Sequence, residues 1–170
     1  VQQYPTISAV EVGNEFNGKN FVNGPVRQAG LAQRARYHLA MVRSVAQQVR
    51  QVRPEVRILG GATHSVAAGY LWDVLDEAEA GLLDGLAIHP YTTPIDQLAA
   101  QIGVLRQHPA ARTIPIEVTE WGTKDEEGAA DHLLRGYSAL AALGVTGFYW
   151  YPLNQRGDDY IPLIANNGET

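Results

Sequence analysis

At 170 residues, 45% of them hydrophobic, the chain is about one domain long and has apolar side chains enough to bury a core. Its formal net charge of -5 comes without the clustered Lys and Arg that nucleic-acid binding needs, and no apolar run approaches the roughly 20 residues that span a bilayer. Cysteine is absent, which excludes disulfides and thiolate metal sites and leaves the redox compartment undetermined.

The first residue is Val1, with no charged start and apolar stretch before it, so the chain reads as a processed or excised piece, and secretion is neither shown nor ruled out. Residues 8–12 are a short apolar run read as a strand, and 14–24, rich in Asn and Gly, read as a loop. Pro25 suits the first turn of a helix. From there Ala35, Leu39, Val42, Val45, Val49 and Val52 recur at helical spacing until Pro54. Residues 56–59 are the second strand, running into Gly60, Gly61 and His64, and a helix with Leu71, Val74, Leu75 and Ala78 on one face follows. Residues 86–88 are the third strand, ending at His89-Pro90-Tyr91. Thr93, Pro94 and Asp96 predict a helix start with a hydroxyl cap, a first-position proline and an acid in the first turn; Leu98, Ile102 and Leu105 mark its buried face. Residues 114–119 are the fourth strand, ending at Glu120-Trp121-Gly122. Ala130, Leu133, Leu134, Tyr137 and Leu140 predict the apolar face of the last helix, stopped by Gly144. Residues 145–150 are the fifth strand, and the tail from Asn154 is polar.

Strands alternating with helices predict βαβ units, a parallel sheet and an α/β fold in a single domain, 1–170. Polar and aromatic residues gather where strands end: Asn14 and Glu15, His64, His89 and Tyr91, Glu120 and Trp121, Trp150. In parallel α/β proteins sites form at the C-terminal ends of strands. Glu15 and Glu120 both stand at such ends. Two carboxyl groups facing one cleft can divide into acid and nucleophile, and glycoside hydrolysis requires such a pair.

These stretches resemble, motif by motif, the clan A glycoside hydrolases, which are (β/α)8 barrels. "VGNEFNG" is similar to their fourth-strand Asn-Glu motif and "IEVTEWG" to their seventh-strand motif. "LAIHPYT" resembles the sixth-strand His-x-Tyr motif, "GFYWYPL" the eighth strand and "RILGGATH" the fifth. The closest flavour is cellulase-like and β-xylosidase-like. The resemblance implies a retaining O-glycosyl hydrolase of β-linked oligo- or polysaccharide, with Glu15 as acid/base and Glu120 as nucleophile. Asn14 would bond the sugar 2-hydroxyl, Tyr91 would contact the nucleophile, and His89 and His64 would line the sugar subsites. Trp150 and Trp121 would offer flat apolar faces to a sugar ring. Glu15 would keep its proton near neutral pH, its pKa raised by burial or by the charge of Glu120. The resemblance calls for no metal and no organic cofactor. It implies a carbohydrate partner, not nucleic acid or membrane, in an extracellular or periplasmic setting.

A full barrel of this kind has three strand–helix units before the Asn-Glu strand. Here only seven residues precede the first strand, and no clear helix follows Trp150. The resemblance therefore covers the fourth to eighth strands: a partial (β/α)8 barrel of about five parallel strands, the C-terminal portion without the first three units and the last helix. Its two open edges would invite self-association.

Blander readings stand beside these. Asn-Glu-x-Asn-Gly is also turn chemistry, so Glu15 can be a loop carboxylate, and Glu120 a salt-bridge partner. Glu11 and Glu117, inside strands, read as structural or helix-facing; Trp72 reads as packing and His38 as a non-catalytic helix-face residue; Asn17, Asn20 and Asn23 can bind sugar or make turns, and turns are favoured. A metal site from His64, His89 and a Glu is conceivable chemically but lacks a known local spacing. Gly60-Gly61 lacks the patterns of a phosphate loop. The alternative function is a truncated, non-catalytic carbohydrate-binding fragment.

Overall fold

The computed structural model describes residues 1–164; positions 165–170 of the expected domain lie outside that range. Five strands form one parallel sheet in chain order: β1 (Ala9–Glu11), β2 (Arg57–His64), β3 (Gly85–His89), β4 (Ile116–Trp121) and β5 (Gly147–Trp150). Helices fill every crossover: α1 (Gly24–Gln28) and α2 (Leu31–Val52), then α3 (Ala68–Glu77), α4 (Leu98–Leu105) and α5 (Ala129–Ala142). The sheet curls, giving the expected partial (β/α)8 barrel. Among the described residues β1 and β5 each have one strand neighbour, so both edges are open. No helix among them is long and apolar enough to cross a membrane.

The alternation of side chains along a strand sorts the residues into two faces. Val10, Ile58, Leu86, Ile88, Ile116, Val118 and Phe148 pack toward the helices in two apolar clusters. Glu11, Leu59, Glu117, Thr119 and Tyr149 line the concave face instead. On α2 the stripe Ala35, Leu39, Val42, Ala46 and Val49 is buried. Each fully buried Leu or Val there stabilises by about 1.5–3 kcal/mol, which fixes the helix on the sheet better than its propensity could. Trp72 and His38 are packing residues. Trp72 donates its Nε1 proton to the Leu105 carbonyl at 3.1 Å, and His38 is buried with Nε2 2.9 Å from the Val12 carbonyl oxygen. Gly60 and Gly61 lie within β2, where a Cβ would meet the side chains of Leu83 and Leu71 at 2.6 and 2.8 Å.

Three local expectations need correction. The helix predicted from Pro25 to Val52 is two helices, because Ala29 and Gly30 adopt extended backbone between them. Thr93 does not cap a helix; its hydroxyl donates to Gln101 Oε1 at 3.3 Å, and α4 is preceded by a tight 3-10 turn at Ile95–Gln97. On α5 only Gly136 and Leu140 are buried, while Leu134 and Tyr137 stand exposed. The helix leans its Gly136 side on β4, and no further strand layer covers the rest among the described residues.

Candidate active site

Glu15 sits in the loop after β1, and that loop is fastened from three sides. Its own N–H donates to the Ala62 carbonyl in β2 at 2.6 Å. The Asn17 side chain brackets the end of β2, donating to the His64 carbonyl at 2.9 Å and accepting from the His64 N–H at 3.0 Å. Buried Arg34 of α2 donates to five carbonyls of the same loop and of α1: Asn17, Gly18, Val26, Arg27 and Ala29, at 2.7 to 3.1 Å. Asn17 is thus a turn residue that also positions a site residue. The fastening holds an unusual backbone: Glu15 has φ 46°, and its neighbours Ala62 and Ser65 have φ 44° and 62°.

The loop turns Glu15 toward Glu120 at the end of β4. His89, at the end of β3 and wholly buried, lies beneath both. Its Nδ1 is 3.3 Å from Glu15 Oε1 and 3.9 Å from Glu120 Oε2, which caps the separation of those two oxygens at about 7.2 Å. That cap removes most of the roughly 6.5–9.5 Å range of inverting pairs and contains the roughly 5–5.5 Å of retaining ones. On its other side His89 Nε2 lies 2.9 Å from Glu11 Oε1 and 3.1 Å from Thr119 Oγ1. Tyr91 donates its hydroxyl to Glu120 Oε2 at 3.2 Å, and His64 Nδ1 approaches Glu15 Oε1 at 3.5 Å. The cleft above the carboxylates holds about 280 Å³; its walls include His64, Tyr91, Tyr151 and Tyr160, with Phe21 and Asn20 at one side. The three tyrosines pack edge-on and tilted, 5.0 to 6.2 Å apart.

The charges settle differently from the sequence expectation. Burial pushes the Glu15 carboxyl up, but the hydrogen bond to His89 and the charges of His64 and His89 outweigh it, so its pKa is lowered. Burial also raises Glu120; His89 and the Tyr91 hydrogen bond offset this in part, while Glu11 and Glu15 reinforce it, and its pKa ends above the usual carboxylate value. Burial opposes the imidazolium of His89, yet Glu11 and Glu15, with Glu120 behind them, lift it to about 9. The expected raised pKa of Glu15 is therefore corrected. Two imidazoles stand against that carboxylate, which the sequence spacing did not reveal.

Of the site residues named from sequence, the fold brings Glu15, Glu120, His64 and Tyr91 into one cleft. His89 joins them from below and offers no surface to a sugar. Trp121 does not reach the cleft. A shift of register between Val118 and Trp121 frees Glu120 toward the site, while the indole turns to the helix side, fully buried against Gly136, His132 and Phe148. Trp150 lies opposite Trp121 in the register and shares its face; its ring meets His132 of α5 at 6.3 Å and its Nε1 donates to the Ile161 carbonyl. The aromatic walls come instead from Tyr151 and Tyr160, one residue and ten residues further on. Asn14 is half-buried within the loop and does not line the cleft. Glu117 is structural as expected, ion-paired with Arg57 on the concave face. Glu11 is not merely structural: β1 is so short that Glu11 ends it and touches His89. No group of three or more His, Cys, Asp or Glu among the described residues is arranged to hold a metal ion.

No family model and no curated protein matches the chain. Solved structures do match in fold. A monomeric β-xylosidase from Caulobacter crescentus aligns over 93% of this chain and 38% of its own, at 17% identity and a TM-score of 0.64. A GH51 arabinofuranosidase from Xanthomonas axonopodis aligns over 95% of this chain and 39% of its own, at 14% identity and a TM-score of 0.68. A GH128 exo-β-1,3-glucanase from Cryptococcus neoformans aligns over 95% of this chain and 65% of its own, at 15% identity and a TM-score of 0.66. The chain thus spans less than two-fifths of the length of the first two. At such identities the likeness establishes architecture: this chain has the fold of part of a (β/α)8 barrel.

Proposed function

We propose that the chain carries the carboxylate pair of a retaining O-glycosyl hydrolase acting on β-linked oligo- or polysaccharide. The observation that carries the reading is the convergence of Glu15 and Glu120, from two strand ends, on one buried imidazole under an aromatic-walled cleft. Glu120, oriented by the Tyr91 hydroxyl, attacks the anomeric carbon, and the leaving oxygen takes the proton of Glu15. A glycosyl ester on Glu120 results. Its formation removes one negative charge from the cleft. Water then attacks the anomeric carbon, Glu15 accepts its proton, and Glu120 leaves as carboxylate. Tyrosine faces suit the C–H side of a sugar ring, and the polar rim of Asn20 and His64 suits its hydroxyls.

One observation favours the opposite division of labour. Glu15 is the more readily ionised carboxyl and Glu120 the less, which fits Glu15 as nucleophile and Glu120 as proton donor. A 2-fluoro-glycoside trap with an activated leaving group separates the possibilities. Peptide mass mapping that finds the sugar on Glu120, and none in Glu120→Gln, is the expected result. Sugar on Glu15 reverses the roles. Saturable sugar binding with no adduct on either residue supports a non-catalytic carbohydrate-binding fragment and overturns the hydrolase reading.

A further inference from the structure

The side chain of His89 joins the concave face of the sheet to the cleft at its strand ends. Its two ring nitrogens face opposite ways. Nδ1 looks up to Glu15 and Glu120, at 3.3 and 3.9 Å, and Nε2 looks down to Glu11 at 2.9 Å and to Thr119 at 3.1 Å. A carboxylate only accepts hydrogen bonds, and a neutral imidazole has one N–H to give. An imidazole with a carboxylate on each nitrogen satisfies both only by carrying both protons. Glu11 is three-quarters shielded from solvent and its Oε1 claims the lower proton, so the upper N–H is left aimed at the pair above.

We infer that Glu11 is a positioning residue of the site: it holds His89 doubly protonated and fixes the N–H that Glu15 accepts, with Glu120 beside it at ion-pair distance. The inference rests on the reading of those two as the working pair. The groups that face His89 from the surrounding elements agree with it. Glu11 comes from β1, Glu15 from the loop after it, and Thr119 and Glu120 from β4, and none of them carries a positive charge. Of the carboxylates around His89, His64 at the end of β2 reaches Glu15, its other nitrogen meeting the Thr92 hydroxyl, and Tyr91 reaches Glu120. Arg57, the guanidinium on the concave face, is engaged by Glu117. The positive charge between the carboxylates is therefore the charge of His89, and Glu11 is the counter-ion that keeps it there. The lift of the His89 pKa by Glu11 has the same sign.

The consequence for chemistry is specific. With His89 charged, two carboxylates can lie within about 7 Å of each other in a buried cleft without both being driven to protonate. When Glu11 loses its charge, His89 gives up its lower proton at lower pH. Glu15 and Glu120 then lose a cation and both protonate more readily.

The test is a titration of the His89 ring nitrogens by ¹⁵N NMR in the intact chain, compared with Glu11→Gln and Glu11→Asp. Both nitrogens of the parent are expected to be protonated at pH 7.5. Glu11→Gln is expected to lower the His89 midpoint by at least about one pH unit, the scale of a charge within hydrogen-bond reach; Glu11→Asp should restore most of it. A parent His89 that is neutral at pH 7.5 overturns the inference, and so does a Glu11→Gln midpoint equal to the parent's. If Glu11→Gln does not fold, the parent titration and Glu11→Asp still decide. The readout does not depend on turnover. Failure of the 2-fluoro-glycoside trap would sink the hydrolase reading while leaving this result standing.

Discussion

Gly136→Ala isolates the packing that takes Trp121 out of the cleft. A Cβ at position 136 would lie 1.8 Å from Cη2 and Cζ3 of the Trp121 ring, where carbon atoms rest at about 3.5–4.0 Å. The ring would have to retreat by about 2 Å. It has nowhere to go: it is fully buried, with His132 at 4.3 Å and Phe148 edge-on at 5.6 Å. Overpacking of this kind costs about 1–3 kcal/mol, and a clash against a rigid indole belongs at the upper end. Alanine returns about 1 kcal/mol in a helix interior. The net loss is about 2 kcal/mol, a fall in melting temperature of roughly 4–8 °C for a chain of this size. Thermal melts and urea midpoints of the single variant, of Trp121→Phe, and of the double variant measure it. The smaller ring should relieve the alanine, giving a coupling of about 1 kcal/mol or more between the two sites. If Gly136→Ala melts at or above the parent temperature, Trp121 is not held against α5. Its assignment to the core, and with it the correction of the sequence expectation, would be refuted.

The buried imidazole makes stability depend on pH. The folded pKa of His89, about 9, lies above its unfolded value near 6.5, so its contribution is complete below about pH 6.5 and lost as pH rises through about 9. Urea midpoints between pH 6 and 9.5 should show a loss approaching about 3 kcal/mol that is absent in His89→Gln; a flat profile in the parent contradicts it. Tyr91→Phe removes the hydrogen bond that lowers Glu120, so the carboxyl titration of Glu120, followed by ¹³C NMR, should move to higher pH; an unmoved curve means the bond is not formed in solution. Arg34→Met strips five carbonyls of the loop and of α1 of their donor at a cost of about 3 kcal/mol. Hydrogen exchange between residues 17 and 29 should then quicken roughly 100-fold ahead of β3, and equal acceleration in both places would show that Arg34 serves the whole fold and not the loop.

Much of this architecture was legible in the sequence because burial writes periodicity into a chain. Strands β2 to β4 are largely apolar runs whose last residues include His64, His89 and Glu120, and those ends are where the cleft forms. The order of the sheet follows from alternating strands and helices. What was not legible depends on single-residue geometry. Trp121 and Trp150 share a face because of a register shift in β4, and nothing in "IEVTEWG" announces a bulge. Tyr151 and Tyr160 become cleft walls because the chain after β5 folds back beside Tyr91, a path set by tertiary contact. Glu11 was read as interior to a strand that proves only three residues long. The lowered pKa of Glu15 comes from two imidazoles delivered by β2 and β3, a proximity no local spacing encodes.

The backbone at Glu15 has a further consequence. At φ 46° a residue with a side chain is held where glycine and asparagine rest most easily, and Ala62 and Ser65 beside it are in the same region. Judged by thermodynamic stability alone, position 15 is a place to install glycine, and a library screened only for resistance to heat would be expected to drop the acid there. Keeping a glutamate in that conformation sets a ceiling on how stable this region can become while the cleft stays intact. Stabilising changes compatible with the cleft should therefore be sought in the helix layer, away from the loop that presents Glu15.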